Sequence, residues 1–174
     1  MAEKNFKGLV EIYTGEGKGK TTAALGLALR AAGQGLKVIF IQFLKGEPCG
    51  EHFFAGKFKP FEIVQVSRGN IFKKSDDQLV AEARQTLEYA ERALVSGDYD
   101  VVILDEIFIC YWRGLISLQQ ILDLMQKKPD KVELVMTGRK APPEVIKHAD
   151  LVTEMLMIKH PFSEGIKQRK GIEY

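Results

Sequence analysis

The sequence predicts an α/β fold, a mostly parallel, doubly wound sheet with helices on both faces. Two observations carry that prediction. Short apolar runs alternate along the whole chain with segments whose apolar residues recur at helical spacing, the order that builds β-α-β units. One of those runs, Val101-Val102-Ile103-Leu104, has no polar break, as a strand covered on both faces requires. Length and composition agree: 174 residues, 45% of them hydrophobic, suffice for one ordinary domain spanning residues 1–174, with a single sizeable core.

Taken in order, residues 9–14 read as the first strand, and residues 21–34 as a helix closed by the Gly33 and Gly35 punctuation. Residues 38–43 form a second, largely buried strand and residues 61–66 a third. Between them, residues 45–59 contain three glycines and one proline and read as an irregular excursion, of a length that often serves binding. From residue 76 to 96, Leu79, Val80, Ala83, Leu87, Ala90 and Leu94 fall on one helical face, and Gly97-Asp98 ends that helix. The strand at 101–104 follows. A helix at 117–126 presents Leu118, Ile121, Leu122 and Met125; residues 132–137 and 151–157 are the remaining strands, with a short helix after Pro142-Pro143.

Charge and cysteine content exclude several classes. Lys and Arg number 25 against 23 Asp and Glu, a net charge of +2, which gives no reason to expect a nucleic acid partner. Cys49 and Cys110 make neither a disulfide framework nor a zinc motif and read as free thiols in a reducing compartment. No stretch is long and apolar enough to cross a bilayer, and residues 1–7 lack the apolar run of a signal peptide. A cytoplasmic protein is expected.

The chemistry concentrates in Gly15-Glu16-Gly17-Lys18-Gly19-Lys20-Thr21-Thr22, which joins the first strand to the first helix. Glycines let backbone N–H groups converge on phosphate oxygens, and the helix start points its dipole at the same anion. Lys20 supplies charge, and the Thr21 hydroxyl is placed to ligate Mg²⁺ or Mn²⁺. The general phosphate-loop pattern would place a glycine at Thr14; here Gly15 comes one residue late, so the loop is a shortened variant. The fold expected is therefore P-loop NTPase-like, of RecA-like type. A second acidic element ends the strand at 101–104: Asp105 and Glu106 lie where open α/β sheets bind ligands, and a carboxylate there can hold the metal that counters a triphosphate. Adjacent strand residues point to opposite faces, so the two are expected to differ in role.

The loop resembles the shortened phosphate loop of the ATP:corrinoid adenosyltransferases. Leu104-Asp105-Glu106-Ile107 resembles their acidic strand, and three further blocks follow in the family's order: residues 137–144, residues 149–155, and the ending from Lys159-His160-Pro161-Phe162 to Lys170-Gly171-Ile172-Glu173-Tyr174. The resemblance implies transfer of the 5′-deoxyadenosyl group of ATP to Co(I) of a reduced corrinoid, with release of triphosphate. Co(I) is itself the nucleophile, so no activated Ser, Cys or His is needed; the protein must orient C5′ and stabilise a highly charged leaving group. It further implies Lys20 and Glu106 as catalytic, Thr21, Glu106 and Asp105 as metal ligands, Arg30 and Arg139 beside the loop residues as nucleotide contacts, a homodimer, and a separate flavoprotein reductant. His160 is expected to be structural, and His52 and His148 solvated.

Three departures stand out. Where the family carries phenylalanine and tryptophan in its corrinoid-facing loop, this chain has Asn70 and Phe72 after Gly69. Phe108 replaces the family's usual asparagine, and Trp112 reads as a core or dimer-contact aromatic. Few residues precede the first strand, where the family commonly has a charged segment that covers the site. The competing expectations are a small P-loop hydrolase or kinase and a non-catalytic corrinoid- or nucleotide-binding module.

Overall fold

The computed structural model describes residues 6–174, so the leader reading at residues 1–5 lies outside the described residues. Its core is one six-stranded, all-parallel sheet made of β1 (Val10–Thr14), β2 (Val38–Gln42), β3 (Glu62–Gln65), β4 (Val101–Asp105), β5 (Glu133–Thr137) and β6 (Leu151–Glu154), in the order β3-β2-β4-β5-β1-β6. The central strands β2, β4 and β5 are buried at every position, as their largely apolar sequences require.

The two faces differ. One is covered by α1 (Lys20–Gly33), whose Ala24, Ala28 and Ala31 pack on Val38, Phe40, Val101, Ile103 and Val135. Alanine at these spacings lets the helix lie close to the sheet, which seats its first turn against the strand ends. The opposite face carries the larger core. There α3 (Asp76–Val95), α4 (Ile107–Trp112), α5 (Leu118–Lys127) and α6 (Pro143–Lys147) cover Ile12, Ile39, Ile41, Val102, Leu104, Leu134 and Met136. Ser75 and Ser117 start α3 and α5 with reciprocal capping boxes to Gln78 and Gln120, satisfying backbone donors that would otherwise be orphaned.

Several expectations are corrected. The excursion at 45–59 contains α2 (Gly50–Phe58), a helix whose three phenylalanines, Phe53, Phe54 and Phe58, all remain exposed, so its periodicity gave no buried stripe. The apolar segment after β4 is the short helix α4, and the last strand stops at Glu154 rather than continuing to 157. Phe108 is fully buried, packed against the backbone of Gly138, which accounts for an apolar residue there. Trp112 is not core: more than half of its surface is exposed, with its indole N–H donated to the Lys140 carbonyl at 2.6 Å. No described helix is long and apolar enough to cross a membrane.

Candidate active site

Because all strands are parallel, the ends of β1, β2, β4 and β5 open on one edge of the sheet, and the candidate residues gather there. At the centre is Asp105, 1% exposed. Its Oδ1 accepts from the Thr21 hydroxyl at 2.9 Å and from the Thr137 hydroxyl at 2.7 Å, and its Oδ2 accepts from the Gln42 amide at 3.1 Å. Burial pushes the Asp105 carboxyl up from its ordinary range, while the two hydroxyls pull it back. Asp105 is therefore a hub that aims Thr21, with its own lone pairs largely used.

Glu106 is not on the strand. It sits at φ 62° in the left-handed region, a conformation unusual for a non-glycine residue, with its N–H donated to Thr137 Oγ1 at 3.0 Å. That turn, rather than strand alternation, separates its role from that of Asp105. Its Oε2 is buried without a partner. Burial first, then the charge of Asp105, push its carboxyl up, and Lys20, Arg139 and Lys45 counter them. A buried carboxylate oxygen with no donor, beside the Thr21 hydroxyl's anchor, suits a hard divalent cation. Glu106 and Thr21 thus fit as direct ligands, and Asp105 as the group that holds Thr21.

The loop itself is closed on its own atoms. Lys20 is 6% exposed, and its ammonium donates to the Gly15 carbonyl at 2.8 Å and the Gly17 carbonyl at 2.7 Å; burial lowers its pKa. Arg139 reaches back to Glu16 Oε2 at 2.8 Å, while Glu16 Oε1 is buried and unpartnered. The glycines have a use the sequence did not suggest. A Cβ on Gly15 would lie 2.4 Å from the Met155 carbonyl oxygen, and one on Gly17 2.7 Å from that of Leu156; the Gly17 N–H is bonded to Met155 O at 2.7 Å. The chain leaving β6 lies across the loop, and only glycine admits it.

Not every expected residue converges. Arg30 is in the last turn of α1, ten residues past Lys20 and so about 15 Å further along the helix axis. Asn70 uses its Oδ1 to cap the 3-10 turn Ile71–Lys73, accepting from the Phe72 N–H at 2.9 Å; Phe72 projects with 89% of its surface exposed. His52 is not solvated, since its Nδ1 accepts the Cys49 N–H at 3.0 Å and its Nε2 is buried. Cys49, Glu51 and His52 bring ligand atoms within 4.8 Å of one another. Glu51, however, is engaged by Lys45 and Gln42, and His52 Nδ1 by a backbone donor, the wrong outer partner for a metal-bound imidazole. His160 caps the turn Pro161–Glu164, as a structural residue would.

Sequence reasoning missed Gln42 and Thr137. Both are polar residues that follow an apolar run at a strand's end, the same signal that pointed to Asp105.

Comparison with known proteins settles the family. The sequence profile of the ATP:corrinoid adenosyltransferases BtuR/CobO/CobP matches residues 6–174. The chain belongs to this family. It is 37% identical to a corrinoid adenosyltransferase of Pseudomonas aeruginosa over 98% of this chain and 86% of that protein. It is 32% identical to one of Escherichia coli K12, over 97% and 86%. The adenosyltransferase chain also shares its fold, at 14% identity and a TM-score of 0.57, with the flagellar accessory protein FlaH of Methanocaldococcus jannaschii, covering 87% of this chain and 73% of that one.

Proposed function

We propose that this adenosyltransferase moves the 5′-deoxyadenosyl group of ATP to the cobalt of a reduced corrinoid, in the making or salvage of adenosylated corrinoid. The cobalt–carbon bond forms as the C5′–oxygen bond breaks; Co(I) supplies the electron pair, and triphosphate departs with the electrons of the broken bond. The observation that carries the reading lies where β4 ends: buried Asp105 aims the Thr21 hydroxyl, and Glu106, next in the chain, has a buried, unpartnered Oε2.

In this reading the loop binds the triphosphate, and Lys20 turns from the Gly15 and Gly17 carbonyls to phosphate oxygens. Arg139 is the second cation, released from Glu16. Thr21 and Glu106 would hold Mg²⁺ or Mn²⁺, which supplies neutralising charge to the leaving group. With no side-chain nucleophile required, the protein contributes position and electrostatics. Phe72 offers an exposed aromatic surface to the corrinoid, whereas Asn70 shapes the turn that presents it. We further infer a cytoplasmic homodimer served by a separate flavoprotein reductant.

The test is anaerobic incubation with ATP, Mg²⁺ and chemically reduced cobalamin. The expected result is the light-sensitive spectrum of a cobalt–carbon bond together with intact triphosphate. ADP and phosphate in their place would identify a hydrolase or kinase, and bound corrinoid with unconsumed ATP a carrier.

A further inference from the structure

Each cation in or facing the phosphate loop already has an internal oxygen. Lys20 has the Gly15 and Gly17 carbonyls and Arg139 has Glu16, but the partner of Lys18 comes from far along the chain. Lys18 Nζ lies 2.9 Å from Glu173 Oε1 and 3.3 Å from the Ile172 carbonyl. Glu173 is gripped a second time by Arg169: NH2 lies 3.0 Å from the same Oε1, while Oε2 accepts from Nε at 3.3 Å and from the backbone N–H at 2.7 Å. One carboxylate oxygen therefore joins the Lys18 ammonium to the Arg169 guanidinium and keeps them within two hydrogen-bond lengths of each other. The carboxylate is the sheltered member, its side chain 19% exposed, against 44% for Lys18 and 55% for Arg169.

A carboxylate bound by two cations beside a phosphate loop has the chemistry of a stand-in for phosphate. The planar guanidinium fork accepts carboxylate and phosphate in the same two-point geometry, and triphosphate brings more charge and more acceptor oxygens than one carboxylate can. Building on the reading that this loop binds triphosphate, we propose that Arg169 is a further triphosphate-binding residue of the site, and that Glu173 is the internal anion that holds Arg169 and Lys18 together until the nucleotide's phosphates replace it. The exchange is non-covalent: two cations leave one oxygen donor set for another, and Glu173 is released to solvent.

Replacement by phosphate and a merely structural brace differ in the sign of their effects. A brace predicts that loss of either Arg169 or Glu173 weakens binding. Replacement predicts opposite effects, because Arg169 is a ligand and Glu173 a competitor. The experiment is calorimetric titration of the full chain with ATP and with inorganic tripolyphosphate, at low salt and again at high salt, for wild type, Arg169→Ala, Arg169→Lys, Glu173→Gln and Lys20→Ala. Arg169→Ala should raise Kd for both ligands by about three- to tenfold, and Arg169→Lys by less, as expected for an exposed charge contact. Glu173→Gln should lower Kd by about two- to fivefold. Both differences should shrink at high salt. If Arg169→Ala binds as wild type does while Lys20→Ala binds weakly, the Arg169 assignment is overturned and the loop reading stands. Weaker binding by Glu173→Gln overturns the replacement. A wild-type chain that binds neither ligand overturns the loop reading and this proposal with it.

Discussion

The two sides of the candidate site are built on opposite plans. On the carboxylate side, Asp105 is sealed among Thr21, Thr137 and Gln42, and Gln42 is tied onward to Gln65 and Glu51. On the loop side, Lys18, Arg139 and their carboxylate partners stand near the surface, in pairs that a stronger anion can exchange. Buried polar groups must be fully bonded, and removing one partner leaves the other uncompensated. Exposed pairs contribute little to stability and part easily. The carboxylate side is therefore built to hold geometry, and in our proposal the loop side changes partners.

The largest expected effect tests the loop. Lys20→Ala should cut adenosyl transfer by about 10²–10³-fold, the magnitude of losing one aimed electrostatic contact. Circular dichroism should show an intact fold, and full activity in a folded variant would remove the loop from the mechanism. Next is the carboxylate side. Gln42→Leu leaves Asp105 Oδ2 without its donor. It should weaken Mn²⁺ binding, read by electron paramagnetic resonance, by about 10–100-fold, as loss of an outer-shell partner does. It should also lower Tm; an unchanged Tm would erase the contrast between the two sides.

Gly17→Ala probes the seam between the loop and the chain leaving β6. Its new Cβ would meet the Leu156 and Met155 carbonyl oxygens at 2.7 Å, and backbone cannot swing away as a side chain would. Denaturant unfolding should show a loss of about 2 kcal/mol. The smallest effect lies away from the site, at Glu133, where β5 begins. This side chain is buried, and its carboxylate accepts from one backbone donor, the Leu9 N–H at 2.7 Å. Burial, with Glu11 beside it, pushes its carboxyl from 4.5 up to about 7. The folded chain thus holds the proton more tightly than the unfolded one. Stability from this group is full below pH 4.5 and falls as pH rises through about 7. Glu133→Gln should flatten that slope, read as Tm against pH across the window from 4.5 to about 7. A slope unchanged in the variant would show that burial does not hold a proton on Glu133, and would remove it from the comparison with Asp105.

Much of the site was legible because it is local. A strand, a glycine-rich turn and a helix start lie within one continuous segment, and Asp105-Glu106 follow an unbroken apolar run. Arg30 illustrates the limit: membership of the right helix says nothing about which end faces the ligand, and helical rise carried it away. Phe53, Phe54 and Phe58 hid α2 because helix recognition rests on a buried stripe, and this helix buries Ala55 and turns its aromatics outward.

By itself the sequence determined the parallel α/β plan, the glycine-rich loop between β1 and α1 and the acidic strand end, since periodicity, turn chemistry and short motifs are properties of neighbouring residues. Only the tertiary structure decided that Asp105 orients Thr21 while Glu106 keeps a free oxygen, that Gly15 and Gly17 make room for residues 155 and 156, and that Glu173 reaches Lys18. These are contacts between segments far apart along the chain. They are fixed by how the sheet orders its strands, and no local pattern records them.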